Sequence, residues 1–203
     1  NENENIKIVI VYINSMSSTG RFDEGYHLYL KSFSTLIIYA IEIQKRDKEI
    51  QNITKNTKAL EAAFLDCEEA LKYPNSLLAI IQSILKRIQM ENFILIRYKP
   101  LSKGYECILG SENCKKMTIS EENRLICAIK NLAKPSEIKK WLIDSNNSFL
   151  QVFPSFSHIV VDPLDSDLFL ICTGDSLNSD FELIFNSYSP LVKSLYHNYL
   201  LSI

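Results

Sequence analysis

The stretch HIVVDPLDSDLFLIC, residues 158–172, decides how the chain is read. Residues 158–161 form a β-branched run of one strand's length, 162–166 are rich in turn formers, and 167–172 are apolar again. Two such runs around a tight connection predict an antiparallel pair. Upstream the same pattern recurs: 93–98 (FILIRY) reads as a strand, 100–104 as a turn and 105–109 as its hairpin partner. Residues 149–153 add a weak strand between the loops 144–148 and 154–157.

Helical periods alternate with these strands. Asn75 or Ser76 can cap a helix over 76–90 whose apolar side is Leu77, Leu78, Ile81, Ile84, Leu85 and Ile88, with Lys86 and Arg87 on the wet side. After a loop containing Cys114, Ser120 is the expected cap of a helix to about residue 133 on Leu125, Ile126, Ile129 and Leu132, ended by Pro135. A short helical turn is expected over 136–142. Past Asp180 a last amphipathic helix runs on Phe181, Ile184, Phe185, Tyr188, Leu191, Val192, Leu195, Tyr196 and Leu200, and Pro190 should kink or split it.

Residues 24–71 contain neither proline nor glycine after Gly25 and predict one long helix. At ~1.5 Å per residue it would reach roughly 65–70 Å, further than most single domains are wide, so it reads as a connector. Its second half carries a seam of Ile50, Ile53, Thr57, Leu60, Phe64, Cys67 and Leu71 with alternating spacings of three and four, flanked by charged residues. Such a seam suits a helix supercoiled on a partner, or an amphipathic helix packed on its own domain. Ahead of it, residues 7–13 (KIVIVYI) form a strand pattern and 14–20 a turn-rich loop, with Asp23 available as the helix cap.

The chain has 203 residues, 46% of them hydrophobic, enough for one good core plus flanking pieces. With 22 basic against 24 acidic side chains its formal charge is -2, and no basic stripe interleaved with aromatics marks a nucleic-acid partner. No segment is apolar over about 18 residues, so no membrane partner is expected either. Five cysteines without CxxC spacing suit reduced thiols in a cytoplasmic piece of a longer protein.

The order helix, hairpin, helix, irregular strand, hairpin, helix over 75–203 resembles a GAF domain. The fold class it implies is α+β: a GAF-like antiparallel sheet with flanking helices, preceded by a long connecting helix. The best local match lies in paired endings, Lys7–Ile13, Arg21-Phe22 and Leu36–Glu42 beside Val160–Leu164, Phe169–Cys172, Phe181 and Leu195–Tyr199. Both resemble the last strand, loop, phenylalanine and terminal helix of a GAF module. The organisation implied is therefore 1–23 as the end of one GAF-like domain, 24–72 as linker helix and 73–203 as a complete GAF-like domain. The resemblance also implies a small-molecule pocket walled by 120–156, with Leu125, Ile129, Trp141, Phe149, Phe153 and Phe156 as its candidate lining. The cyclic-nucleotide signature of the family is an Asn-Lys pair, a phenylalanine and an acidic pair. Here the positions read Asn14-Ser15, Phe22 and Asp23-Glu24, then Thr173-Gly174 and Phe181-Glu182, so cyclic-nucleotide binding is not expected.

Catalytic chemistry finds little support. His27, His158 and His197 are scattered, and no GxSxG, GxxxxGK or GxGxxG motif is present. Asp162, Asp165 and Asp167 look like a carboxylate cluster but fit turn formation better, lacking the glycine and distal glutamate of an EF-hand loop. Cys114, beside Lys115 and Lys116, is the candidate reactive thiol. No cofactor or metal is expected. The leading expectation is a non-catalytic regulatory module with protein partners, among them a second copy, along the long helix. Two alternatives stand beside it. One is a scaffold with a degenerate GAF-like fold docking partners in a cytoskeletal or ciliary assembly; the other is the regulatory region of a cyclic-nucleotide phosphodiesterase, cyclase or sensor kinase.

Overall fold

A computed structural model describes residues 24–110, 118–138 and 156–201. The expected strand over 7–13 and loop 14–20, the Cys114 loop and the weak strand 149–153 lie outside the described residues. Chain contacts divide the molecule into two units, one up to Thr54 and one from Lys55 onward. One helix, α1 (Glu24–Ala70), contributes to both. In the first unit its side chains Leu30, Ser34, Ile37 and Ile41 are half-buried, whereas Leu28, Tyr29, Leu36 and Ile43 are exposed.

The second unit is built on a six-stranded antiparallel sheet. Its strands are β1 (Asn92–Lys99), β2 (Gly104–Gly110), β3 (Thr118–Ser120), β4 (Ser136–Ile138), β5 (His158–Pro163) and β6 (Leu168–Gly174), in the order β3-β2-β1-β6-β5-β4. The two hairpins read from sequence are thus β1–β2 and β5–β6, joined through the central β1–β6 pair, in which Leu95 faces Leu170 and Ile94 faces Ile171. Central strands that are apolar on both faces need cover on both. One face is covered by the end of α1, by α2 (Ser76–Ile88) and by α4 (Phe181–Leu201), the other by α3 (Arg124–Ile129).

Alternation along each strand assigns the two cores. Phe93, Leu95, Leu168, Leu170, Cys172 and Val160 point to the α2/α4 side; Ile94, Ile96, Phe169, Ile171, Ile159 and Val161 point to the α3 side. A register shift between Leu95 and Ile96 places a bulge in β2 near Ile108. The bulge breaks the alternation, so Tyr105 and Cys107 join the α3 side while both Ile108 and Leu109 pack on the helix side. On that helix side Ile80, Ile81, Ile84 and Ile88 of α2 are wholly buried, and α4 adds Phe185, Tyr188 and Val192.

Caps explain the ends of α2. Asn75 Oδ1 accepts from the Leu78 amide at 3.1 Å, and Gln89 closes the helix in the left-handed region at φ 62°. The loop after β6 satisfies the carbonyls that α2 leaves over: Asn178 N–H donates to Ile88 O, Asn178 Nδ2 to Arg87 O and Ser176 Oγ to Gln89 O, each at 3.0 Å.

Four local expectations are corrected. Ser120 ends β3 instead of capping a helix; Asn123 is the cap, its Oδ1 accepting from Leu125 N–H at 3.0 Å, and α3 is only six residues long. Pairing decides this: Ser120 lies opposite Gly104 in the sheet. Residues 136–138 are a strand, because Glu137 and Ile138 pair with Val160 and Ile159. The helix expected to reach Met90 stops at Ile88. Finally, α4 continues through Pro190 as one helix, so the proline does not split it.

Candidate functional site

On the α3 side, Leu125, Ile126 and Ile129 lie over Ile94, Ile96, Phe169 and Ile171 in one apolar cluster that also takes in Phe156. Three residues of the expected pocket lining, Leu125, Ile129 and Phe156, are thereby brought together. Trp141, Phe149 and Phe153 lie outside the described residues. Tyr105 of β2 enters the same cluster, its ring edge-on to Phe169 at 5.8 Å and tilted against Tyr98 at 5.3 Å. Sequence reading passed over Tyr105, although its odd-numbered alternation with Cys107 marked it as a partner of this face.

The rim of that face is polar. Lys130 Nζ lies 3.6 Å from Glu121 Oε1. A hydrogen bond from the Tyr98 hydroxyl and the charges of Lys130 and Lys103 hold the Glu121 carboxyl below its usual range. The same bond to Glu121 raises Tyr98. Burial, with the negative charges of Glu121 and Asp167, raises Tyr105, so both phenols stay protonated hydrogen-bond donors at neutral pH.

On the opposite side, the end of α1 is fastened to the sheet domain at one carboxylate. Arg87 of α2 donates to Asp66 through Nε at 2.7 Å and Nη2 at 3.0 Å, a two-pronged pair. The Tyr188 hydroxyl of α4 donates to the same carboxylate, and the Arg87 guanidinium sits 6.0 Å from the centre of the Tyr188 ring. Burial alone would push Asp66 up, but these bonds and the Arg87 charge outweigh it and hold the carboxyl below its usual range. Ala63 and Ala70, one turn to either side, are buried and let α1 approach closely. Beside this junction a cleft of about 360 Å³ is lined by Asp66, Glu69 and Tyr73 on one side and by Gln82, Ser83 and Lys86 of α2 on the other.

Of the expected seam on α1, Cys67 packs against the α2/α4 core. Ile50, Ile53, Thr57, Leu60, Phe64 and Leu71 are all exposed, and only Cys67 is half-buried, its thiol pushed up by burial and by Glu68. The three aspartates of the β5–β6 turn do not converge. Asp162 is buried against Ser189 of α4, Asp165 pairs with Lys193 at 3.1 Å, and Asp167 takes a bond from Arg97 at 3.3 Å. Among the described residues, no three His, Cys, Asp or Glu side chains come together as a metal site, and no helix is long and apolar enough to cross a membrane.

Solved structures of GAF domains are similar to this chain in fold. The GAF domain of an Acinetobacter phosphoenolpyruvate-protein phosphotransferase superposes with a TM-score of 0.51 at 8% identity, covering 70% of this chain and 94% of that one. The fold is GAF-like. The GAF domain of a phosphoenolpyruvate-protein phosphotransferase (ptsP) from Coxiella burnetii gives a TM-score of 0.53 at 12% identity, over 71% of this chain and 92% of that one. No protein-family model matches the sequence, and neither does any curated protein. At such identities the likeness is one of fold, and the GAF-like sheet carries its own set of side chains.

Proposed function

We propose that the chain is a non-catalytic regulatory module in which a GAF-like domain senses a small ligand and passes the change to α1, which meets protein partners. The observation that carries this reading is the Asp66–Arg87–Tyr188 junction. One carboxylate near the end of α1 is gripped by α2 and α4 together, so a shift of either helix on the sheet acts on α1 directly. The ligand would lie on the α3 side, against Leu125, Ile129 and Phe156, with Trp141, Phe149 and Phe153 completing the wall. Its polar contacts would come from the Tyr98 and Glu121 rim. The module works in the cytoplasm and carries no catalytic group of its own.

Native mass spectrometry of the purified chain tests the sensing step. The expected spectrum shows a small-molecule adduct that disappears in a Leu125→Ala/Phe156→Ala variant which still melts cooperatively. A chain that flies at its own mass, and that no compound in a metabolite panel stabilises against heat, would refute it. One observation favours the scaffold reading as runner-up: Ile94, Ile96, Leu125, Ile126 and Ile129 have no exposed surface at all, as in a filled core.

A further inference from the structure

The cleft beside the Asp66 junction exists because small side chains meet there. Ala70 of α1 and Ala79 of α2 each put only a methyl group into it, and the space left between the two helices is about 360 Å³. Small-molecule sites run to roughly 300–1,000 Å³, so the cleft suits a small ligand. Its whole lining belongs to the sheet unit, from Lys55 onward, and its walls are held by the Arg87 and Tyr188 bonds to Asp66. It opens on the α2 side of the sheet, away from α3.

The polar groups say what kind of ligand fits. Both acids of the lining already have cations: Asp66 is gripped by Arg87, and Glu69 pairs with Lys72 at 2.5 Å. Lys86 reaches Asp66 only through its charge, and among the described residues it has no ion-pair partner. Asp66 and Glu69 against Lys72, Lys86 and Arg87 leave one positive charge over. Ser83 points the same way. A helical hydroxyl commonly rests on the carbonyl four residues back, as Ser32, Ser34, Thr35, Thr54 and Ser187 do at 2.8–2.9 Å. Half-buried Ser83 makes no such bond, and neither it nor Gln82 has a hydrogen-bond partner among the described residues. Gln82, Ser83 and Lys86 thus bring three uncommitted donors to one wall of the cleft. We infer that the cleft binds a small organic anion, its carboxylate or phosphate held by Lys86, Ser83 and Gln82, and its apolar body lying over Ala70 and Ala79 against the Tyr73 ring. This is a second ligand site and does not rest on sensing at the α3 side.

Titration calorimetry of the full chain with benzoate, phenyl phosphate and benzylammonium, alike in ring and different in charge, tests the inference. At millimolar concentration at least one of the two anions should bind and the cation should not, and the binding should weaken as salt is raised. Phenyl phosphate alone would mark a phosphorylated ligand, benzoate alone a carboxylate. Lys86→Gln, at an exposed position, should weaken the binding at least about tenfold, as loss of a charged hydrogen bond does, and Ser83→Ala by a smaller factor. Binding of neither anion, equal binding of benzylammonium, or a Lys86→Gln variant that binds like the wild type would each overturn the inference. The two sites fail separately. Leu125→Ala/Phe156→Ala should leave anion binding unchanged, and its loss in that variant would place the anion on the α3 side and overturn the assignment to the cleft.

Discussion

Replacing Asp162 with asparagine should make the protein more stable at neutral pH, and by an amount that grows with pH. The carboxyl is 2% exposed, between β5 and α4, and burial pushes its pKa up from 3.8 to about 7 against the opposing effects of the Ser189 hydrogen bond and the Lys193 charge. Cys172 of β6, raised well above its ordinary range by burial and by Asp162, is neutral and offers no compensating charge. Ser189 Oγ lies 2.5 Å from Asp162 Oδ2 and 2.6 Å from the Phe185 carbonyl oxygen. A hydroxyl has one hydrogen, so Ser189 can donate to Asp162 or to the Phe185 carbonyl but not to both at once, and the ionised carboxylate is left poorly compensated. An asparagine amide can donate in the same place.

The sign follows from linkage. The folded pKa is raised, so this group's contribution is fully present below about pH 3.8, falls by roughly 1.4 kcal/mol per unit between there and 7, and levels off above. The full excursion is roughly 4 kcal/mol, a large part of a domain's usual stability. Urea unfolding of the wild type and of Asp162→Asn at several pH values between 4 and 8.5 reads it. Asp66, Asp165 and Glu121, whose pKa values are lowered, lose stability as pH falls, but they do so in both proteins and drop out of the difference. The variant's advantage should rise through pH 5 and 6 and flatten beyond about 7. A difference that is flat across this range, or that turns against the variant as pH rises, would refute the argument.

Two further changes probe the frame. Tyr188→Phe should cost about 1 kcal/mol and Arg87→Ala about 1.5–3 kcal/mol in urea unfolding, and the double variant should cost less than their sum because both serve one carboxylate; strict additivity would show that the junction is not a unit. Gly104→Ala should cost about 1–3 kcal/mol, because a Cβ there would lie 2.8 Å from the Ile119 carbonyl oxygen and push β3 off β2; hydrogen exchange should show β3 losing protection first, and an unchanged β3 would contradict the contact.

The sheet was legible because its two central hairpins are long β-branched runs with turn chemistry between them. Local pattern failed where pairing overrode it. Residues 118–120 and 136–138 are three-residue edge strands, too short to show a period, and they are strands because Gly104 and Val160 lie across from them. The bulge near Ile108 is likewise invisible in a sequence that alternates without interruption up to Cys107. Two of the six expected lining residues, Leu125 and Ile129, follow from helical spacing alone, since they sit four apart on α3 and fall in one apolar cluster.

For α1 the sequence shows a heptad but not which face meets the domain. Large apolar residues draw the eye, and Ile50, Ile53, Leu60 and Phe64 form the conspicuous part of the seam; the domain contact is made by Ala63, Asp66, Cys67 and Ala70, three small residues and an acid. Close approach of helices needs small side chains as much as large ones, and a carboxylate becomes an anchor only when partners distant in sequence, here Arg87 and Tyr188, come to it. Nothing in the residues around Asp66 signals either partner. The face of α1 that meets the domain is therefore fixed by residues that the apolar repeat alone does not mark, and Cys67 is the one seam residue that reaches it.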